Sequence, residues 1–295
     1  MVGYYIVKFF SKLMCILPLW LCRMVGNGIG AVAALFVQDW RMQMATANIK
    51  ECLGVDEGRA QEIAYGSLRR FGRMGVEVMR FPLLNEHTIH DTVHVEGLEY
   101  LEAAYQEGRG VIMATGHYGN WELLGATVAL HGFPMLSVTR KQNNDYMDRF
   151  INEYRQMVGQ KVSYNDNGSV LAMARMLKEK HLLGILYDQA TGDSRCTVNF
   201  FGKNTRFPLG AATLSRIYNS PILPIFMHNN EDGTCTAKIY PPLYTPKTKD
   251  RDADCLQVTK ELVTILEHEI INDPEMWFWV HDRWKDGRKR FRDGK

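Results

Sequence analysis

The sequence predicts an α/β fold, a β-sheet flanked by helices, preceded by an apolar helical region at the N-terminus. From Val93 onward, short apolar runs of strand length alternate with amphipathic stretches of helical period. This alternation is typical of a sheet covered by helical layers. Before it, residues 1–37 are largely apolar, and residues 39–82 carry basic and apolar faces at helical spacing.

The composition is that of a globular protein with a sizeable core. The 295 residues are 46% hydrophobic and 23% charged, with a formal net charge of +2. This balance is ordinary, and the net charge is too small to indicate a nucleic-acid-binding protein. Six cysteines are scattered without a Cys-x-x-Cys pair. Their spacing argues against a zinc site and a disulfide framework, and indicates a reduced, cytosol-facing body.

The apolar N-terminal region, residues 1–37, has two interpretations. A glycine-rich break at 26–28 interrupts it, and its longest uncharged run is shorter than the roughly 20 apolar residues that a spanning helix needs. Lys8, Ser11 and Lys12 recur at helical spacing, so they share a face from which they can reach lipid headgroups. No small-residue cleavage site follows, so we do not expect a secretory signal. The region is either a membrane anchor or a hairpin packed on the domain.

The region after Val93 is predicted to contain five strands and six helices. The strands are 111–115, 135–139, 161–164, 182–187 and 222–227. The helices lie near 98–107, 121–131, 144–158, 169–180, 209–218 and 254–271. Ligands of open α/β folds gather at the carboxyl ends of the strands. Three polar residues follow predicted strand ends and are expected at one edge of the sheet: His117, Arg140 and Asp188.

The run 116–122, Gly-His-Tyr-Gly-Asn-Trp-Glu, contains the strongest candidate site. Histidine is the side chain best suited to accept a proton near neutral pH. Asn120 is a good N-cap for the helix predicted to begin at Trp121, which puts His117 in a loop and Glu122 in the first helical turn. A carboxylate there can orient the imidazole. The spacing alone is equally compatible with an ordinary loop histidine and an acid that answers the helix dipole.

His117-x4-Glu122, followed by Leu-Leu-Gly, resembles the H-x4-D/E block of the glycerolipid and lipid A acyltransferases. Further blocks, in the same order, resemble the lipid A late (secondary) acyltransferases. The first block is Ser137-Val138-Thr139-Arg140, followed by Asn143-Asn144. The second is Asp188-Gln189, followed by Gly192 and residues 198–202. The third is residues 274–285. The sequence differs from that pattern at Thr139, where an aromatic residue is usual, and at Asp282, where an arginine is usual.

The resemblance implies a mixed sheet flanked by helices, as in glycerolipid acyltransferases, behind a membrane anchor. Residues 1–37 would be the anchor, 38–92 a helical region packed on the core, and 93–295 the catalytic core with a basic C-terminal tail. It also implies a place at the inner (cytoplasmic) membrane, with the core facing the cytoplasm.

The activity that the resemblance implies is transfer of a fatty acyl chain from acyl carrier protein to a hydroxyacyl chain of a lipid A precursor, with no cofactor and no metal. His117 would be the general base, with Glu122 fixing its tautomer. Backbone amides of the loop at 116–120, or an arginine, would stabilise the oxyanion. Arg140, Asp188 and an arginine of the next helix, best matched by Arg155, would bind substrates. Arg140 could also be a solvated charge, and Asp188 a turn cap.

Other acceptors stay open at this point. Acyltransferases of glycerophospholipid synthesis share the first block, but a later Glu-Gly-Thr-Arg block is expected there, and the nearby Glu96-Gly97 precedes His117. A lysophospholipid or another amino- or glycolipid acceptor is the alternative, and a catalytically inactive membrane scaffold is the reading from a different class. The basic tail, 285–292, could contact anionic headgroups or acyl carrier protein, or simply be solvated. The spacing of His87, His90 and His94 fits no common zinc site.

Overall fold

The computed structural model describes residues 2–139, 141–164, 169–189, 197–285 and 288–293. The predicted α/β fold is confirmed, with a mixed seven-stranded sheet flanked by helices. Arg140, one of the predicted site residues, lies outside the described residues.

The main sheet is parallel in its centre and on one side, and reverses direction on the other. Its strands, in spatial order, are β1 (Val93–Glu96), β9 (Cys235–Ile239), β8 (Ile222–Asn229), β2 (Val111–Thr115), β5 (Leu182–Leu186), β3 (Met135–Thr139) and β4 (Gln160–Tyr164). Strands β8, β2, β5, β3 and β4 run parallel, β9 is antiparallel to β8, and β1 is parallel to β9. A separate antiparallel pair consists of β6 (Thr197–Phe200) and β7 (Lys203–Arg206).

Helices precede the sheet and cover both of its faces. They are α1 (Val2–Ile16), α2 (Leu19–Phe36), α3 (Asp39–Leu53), α4 (Glu57–Met79), α5 (Thr88–Thr92), α6 (Leu98–Gln106), α7 (Trp121–Leu130), α8 (Asp145–Met157), α9 (Ser169–Lys178), α10 (Gly210–Tyr218) and α11 (Arg251–Asn272). Helices α9, α10 and α11 share one hydrophobic core with the sheet. Helices α6, α7 and α8 share the core on the other face.

The five predicted strands and six predicted helices are all present, with ends that differ by at most three residues. Strands β1, β9, β6 and β7 were not predicted. Strand β9 shows why, because its side chains alternate between buried and half-buried positions, and Thr236 and Lys238 occupy the latter. Short strands at the side of a sheet can carry such polar residues, which breaks the apolar run that identifies a central strand.

The N-terminal region forms two helices rather than the interrupted segments predicted. Helix α2 continues through residues 26–28, so the predicted glycine-rich break is wrong. The glycines instead let α2 approach α4 closely. A Cβ atom on Gly30 would lie 2.3 Å from the carbonyl oxygen of Leu68, and one on Gly72 would lie 2.3 Å from that of Gly26. Side chains larger than hydrogen at this crossing would force the two helices apart.

Helices α1 and α2 expose many large apolar side chains on their outer surface. By length and composition, α2 is the helix among the described residues that could cross a membrane. We call the following exposed side chains the apolar hairpin face: Tyr5, Ile6, Phe9, Phe10, Leu13, Ile16, Trp20, Met24, Ile29, Val32, Leu35 and Phe36. A patch of this extent is unusual for a fully solvated surface and is typical of an interaction site.

The opposite face of α1 packs on the body of the protein. Lys8 forms an ion pair of 2.6 Å with Glu153 of α8. The hydroxyl of Ser11 is buried, donates to the carbonyl oxygen of Met79, and lies 2.6 Å from the hydroxyl of Tyr154. The prediction that Lys8 and Ser11 reach lipid headgroups is therefore wrong, because their polar atoms have partners within the protein.

Candidate active site

The sheet brings His117 and Asp188 together at its carboxyl edge. Strands β2 and β5 are adjacent and parallel, with Thr115 beside Leu186. The residue two positions after Thr115 therefore meets the residue two positions after Leu186. The Nδ1 atom of His117 lies 2.7 Å from Oδ1 of Asp188, and the backbone N–H of His117 donates to Oδ2 at 2.8 Å.

Asp188 is buried but remains ionised. Burial alone would raise its pKa, but the charge and the hydrogen bonds of His117, together with the indole N–H of Trp277 at 2.9 Å, lower that pKa to about 2. An ionised carboxylate only accepts hydrogen bonds. The proton on the His117 ring must therefore sit on Nδ1, which leaves Nε2 of the neutral imidazole with a free lone pair.

The pKa of His117 is raised above its ordinary value of 6.5. Burial of the ring opposes the charged form, but the Asp188 carboxylate outweighs burial through its charge and its hydrogen bond, and the charge of Glu122 adds to it. The side-chain amide nitrogen of Gln189 lies 3.1 Å from His117 Nε2 and can donate to it. The ring thus has a fixed tautomer and a stabilised charged form, as a general base requires.

The C-terminal block at 274–285 holds the histidine loop in place. The backbone N–H of Gly119 donates to the carbonyl oxygen of Met276 at 2.8 Å, and that of Phe278 donates to the carbonyl oxygen of His117 at 3.1 Å. Gly119 has a φ of +59°, and a Cβ there would lie 2.1 Å from the carbonyl oxygen of Met227. The N–H groups of His117 and Gly119 are occupied, so the prediction that this loop supplies oxyanion donors is wrong for these two amides.

Glu122 does not fix the tautomer of His117, contrary to the prediction from the sequence. Asn120 caps helix α7, as predicted, by accepting from the N–H of Leu123. Glu122 follows in the first turn, but both of its carboxylate oxygens accept from Arg155 of α8, at 2.7 Å and 2.5 Å. Nδ1 of His117 is already bonded to Asp188. The correction has a simple cause: the strand order makes Asp188 the carboxylate next to the ring.

Glu122 and Arg155 form a buried, bidentate ion pair. Their exposed fractions are 8% and 9%, and a third nitrogen of Arg155 donates to the side-chain oxygen of Asn152 at 3.2 Å. Burial opposes the charged form of Arg155, but Glu122 outweighs it, so the pKa of Arg155 is raised. Bidentate pairs of this kind fix the geometry of both partners. All three guanidinium nitrogens of Arg155 thus donate to groups within the protein.

The His117 ring faces a cavity of about 600 Å³ between the sheet, α7 and α8. Its polar wall includes the Glu122–Arg155 pair. Its apolar wall comes from both helices, the strands and α4. That wall is lined by Phe71, Met74, Met113, Leu124, Met135, Ile151, Leu186 and Ile225. A cavity with an apolar wall beside a histidine of this kind suits a ligand with a long hydrocarbon chain.

Three site residues were not assigned a role from the sequence. Trp277 bonds Asp188, Gln189 faces His117, and His281 lines the cavity. Burial, followed by the charge of Lys285, lowers the pKa of His281 to about 4, so its ring is neutral near pH 7. All three lie in blocks that carried the resemblance, so the signal was present without the contacts that explain it.

Two other predicted features have ordinary partners. The ring of His90 packs on that of His131 at 4.5 Å, and the described residues contain no group of three His, Cys, Asp or Glu side chains that could hold a metal ion. In the basic tail, Arg290 forms an ion pair of 2.7 Å with Glu51 of α3. Residues 286 and 287 of the tail lie outside the described residues.

Comparison with known proteins identifies the family. The sequence model of the bacterial lipid A biosynthesis acyltransferases matches residues 1–286. The chain is 26% identical over 264 residues to the lipid A biosynthesis palmitoleoyltransferase of Escherichia coli, covering 88% of this chain and 84% of the relative. It is 25% identical over 285 residues to a lipid A biosynthesis acyltransferase of Haemophilus influenzae, covering 95% and 88%. It is also 25% identical over 267 residues to the phosphatidylinositol mannoside acyltransferase of Mycobacterium tuberculosis, covering 88% and 82%. The chain is an acyltransferase and belongs to the bacterial lipid A biosynthesis acyltransferase family.

Proposed function

We propose that this acyltransferase moves a fatty acyl chain from an acyl carrier protein thioester to a hydroxyl group on a hydroxyacyl chain of a lipid A precursor. The observation that carries the proposal is the His117–Asp188 pair, in which Nε2 of His117 faces a cavity with a large apolar wall. Family membership supports the class of acceptor.

His117 acts as the general base in direct transfer. The acceptor hydroxyl attacks the thioester carbonyl carbon and gives its proton to Nε2 as the new C–O bond forms. The tetrahedral intermediate then collapses, the C–S bond breaks, and the leaving thiolate takes the proton from the imidazolium. Asp188 stabilises that imidazolium through the 2.7 Å contact at Nδ1. The acceptor oxygen is itself the nucleophile, so no covalent acyl-enzyme is needed.

The developing oxyanion needs a hydrogen-bond donor near the base. The amide of Gln189 is 3.1 Å from Nε2 and exposed, so the acceptor hydroxyl can displace it from the imidazole. Its N–H groups are then free to donate to the carbonyl oxygen of the thioester. The occupied N–H groups of His117 and Gly119 support a side-chain donor in this role.

Glu122 and Arg155 act as a pair that positions the cavity wall. The pair joins the first turn of α7 to α8 directly beside the base. We keep Arg140 and Arg155 as proposed contacts of an anionic acceptor, since arginine forms strong bidentate hydrogen bonds with phosphate. Arg155 would reach the acceptor from within its pair with Glu122.

A second acceptor is a phosphatidylinositol mannoside, because relatives with that name are as similar to this chain as the lipid A enzymes are. The two acceptors differ in the group that is acylated. Both have an anionic, sugar-containing headgroup and lie in a membrane, so the same site could bind either acceptor.

The apolar hairpin face supports a membrane location. We propose that residues 1–37 rest in the inner membrane, that residues 38–92 connect them to the catalytic core at 93–295, and that this core lies on the cytoplasmic side. The donor is a soluble thioester and the acceptor a lipid, so a site at the membrane surface can reach both.

The test supplies purified, full-length protein with acyl carrier protein thioesters and one acceptor at a time: a lipid A precursor, a phosphatidylinositol mannoside, or lysophosphatidic acid. We expect a product of the lipid A precursor that is heavier by one acyl chain in mass spectrometry. Acylation of the mannoside alone would select the second acceptor, and acylation of lysophosphatidic acid alone would overturn both. The His117→Ala variant is the control and should transfer nothing while remaining folded, as measured by circular dichroism.

A further inference from the structure

We propose that Gly184, at the centre of strand β5, determines the length of the acyl chain that the cavity accepts. This inference rests on the proposed function only in naming the ligand as the acyl chain of the donor. The position of the glycine in the sheet, the floor of the cavity beyond it, and the shape of the donor carry the argument.

The strand register orders the cavity residues by depth below His117. Thr115 and Leu186 lie side by side at the carboxyl edge. Two residues deeper, about 7 Å along the strands, Met113, Gly184 and Ser137 are neighbours on β2, β5 and β3. In a parallel sheet, residues in register point to the same face, so all of these line one wall of the cavity.

Gly184, at the middle of this wall, makes room for the end of the Met135 side chain. It is half-buried, whereas the preceding residues of the strand, Leu182 and Leu183, are fully buried. A Cβ at Gly184 would meet the terminal methyl carbon of Met135 at 2.6 Å and otherwise only the carbonyl oxygen of Leu136 at 3.8 Å. A glycine inside a central strand weakens the strand and often marks close approach of a ligand to the backbone. A side chain at position 184 would therefore displace the Met135 methyl group into the cavity and shorten it.

The floor of the cavity lies one level below the glycine. Met135 is in register with Gln160 of β4 and with Leu182, two residues deeper than Gly184. Helix α7 closes this end, because a Cβ on Gly125 would lie 2.7 Å from the side-chain oxygen of Gln160. That oxygen accepts from the hydroxyl of Ser137 at 2.7 Å. A chain that enters at His117 thus reaches the Met135 methyl group beside Gly184, and Gln160 lies one level deeper.

The donor chain fits this shape better than the acceptor does. A lipid A-type acceptor has several chains on one headgroup, and a cavity of about 600 Å³ suits a single chain. The donor has one acyl chain, and its thioester carbonyl must lie beside His117 when the chain is buried. A donor chain that runs along the sheet wall toward Gly184 fills the cavity with one chain and leaves its thioester carbonyl beside His117.

The test changes the depth of the cavity in both directions. Gly184→Ala and Gly184→Val add one and three carbons that push the Met135 methyl group into the cavity, and valine is favoured in strands. Met135→Ala removes most of the floor. Gly210→Ala, at an exposed position with open space around its Cβ, is the matched control. Competition with a fluorescent fatty acid measures the affinity of each full-length variant for a graded series of straight-chain acyl thioesters. The same thioesters then serve as donors for transfer.

We expect Gly184→Val to weaken binding of the longest chains by about fourfold for each methylene that no longer fits, at about 0.8 kcal/mol each, and to leave short chains unaffected. Gly184→Ala should give a smaller shift in the same direction, Met135→Ala a preference for longer chains, and Gly210→Ala the wild-type profile. If Gly184→Val does not fold, Gly184→Ala and Met135→Ala decide the question.

A folded Gly184→Ala variant with the wild-type length profile would overturn the inference, as would a Met135→Ala shift toward shorter chains. Binding is measured apart from transfer. If wild-type protein binds the chains with the expected profile but acylates no acceptor, the proposed function fails and the role of Gly184 stands.

Discussion

At the scale of single residues, the candidate active site is organised around one carboxylate, that of Asp188, which accepts three hydrogen bonds. Asp188 accepts from the backbone N–H and the imidazole of His117 and from the indole of Trp277. These contacts keep it ionised and fix Nδ1 as the protonated nitrogen. Asp188 therefore affects both the orientation and the pKa of the base, and these two effects can be separated by measuring pH dependence.

The Asp188→Asn variant should move the acid limb of the pH–rate profile to lower pH. In the wild type, Asp188 raises the pKa of His117, and the base works only in its neutral form, so transfer is lost as the pH falls through that raised pKa. Without the carboxylate, burial lowers the pKa of the ring. The rate above the pKa should also fall, by up to about 10⁴-fold, because the asparagine amide can donate to Nδ1 and hold the imidazole in the wrong tautomer.

The measurement is kcat/KM for transfer across pH, which reports the pKa of the free enzyme. The Asp232→Asn variant changes an exposed turn carboxylate and is the matched control, with an unchanged profile expected. An acid limb that stays in place in Asp188→Asn would contradict the assignment of Asp188.

Breaking the buried Glu122–Arg155 pair should lower the free energy of unfolding by more than the loss of its hydrogen bonds alone. Glu122→Gln leaves a buried guanidinium without its counter-charge, which costs about 3–5 kcal/mol in comparable pairs. Denaturant unfolding measures this loss. The exposed Glu62→Gln variant, which breaks a pair with Arg59, should lose at most about 1 kcal/mol.

A double variant, Glu122→Leu with Arg155→Met, separates burial of a charge from loss of a contact. Replacing both members of a buried pair by apolar residues is often neutral for stability. We expect the double variant to be more stable than Glu122→Gln, and to transfer acyl chains poorly because the wall beside His117 is no longer fixed. Equal stability of the two variants would argue that the pair has no special energetic role.

At the scale of elements, the α1–α2 hairpin is both an apolar surface and a structural part of the body. Gly26 and Gly30 of α2 contact the backbone of α4, and α1 bonds α8 through Lys8, Ser11 and Glu153. Deletion of residues 1–37 would therefore uncover the core as well as remove the apolar hairpin face. Substitutions on the outer face are the sharper test of membrane binding.

Phe9→Glu combined with Phe10→Glu should release the protein from vesicles of anionic phospholipid in a flotation assay. Both side chains are exposed on α1, at 67% and 48%, and burial of a full aromatic side chain contributes about 1.5–3 kcal/mol. Ile217→Glu introduces one such charge at an exposed apolar position of α10 and is the control for each single variant, Phe9→Glu and Phe10→Glu. If the double variant floats as the wild type does, the membrane is not bound through this face.

At the scale of the whole molecule, the centre of the sheet could be predicted because its strands are apolar on both faces, bounded by turns, and separated by helices. Strands β1 and β9 could not be predicted, because polar side chains at the side of the sheet interrupt the apolar pattern. Helix α2 was divided wrongly at its glycines, since a sequence does not show whether glycine breaks a helix or lets another helix approach.

For the site, the sequence likewise identified the residues but not their contacts. His117 and Asp188 were identified from their places after strand ends, which is a local property. Their contact joins residues 71 positions apart and exists only because β5 lies next to β2. Strand order is a tertiary property, so the sequence favoured the nearer carboxylate, Glu122, whose own partner, Arg155, lies 33 positions away in the chain.

Glu77 of α4 connects the α1–α2 hairpin to the loop that contains His117. One of its carboxylate oxygens faces Arg23 of α2 at 3.3 Å, and the other accepts from the side chain of Asn120, the N-cap of α7, at 2.8 Å. The two regions thus share one partner, and their folded states are thermodynamically linked. Any bilayer component that binds the hairpin in this position also stabilises the loop that carries His117, by mass action.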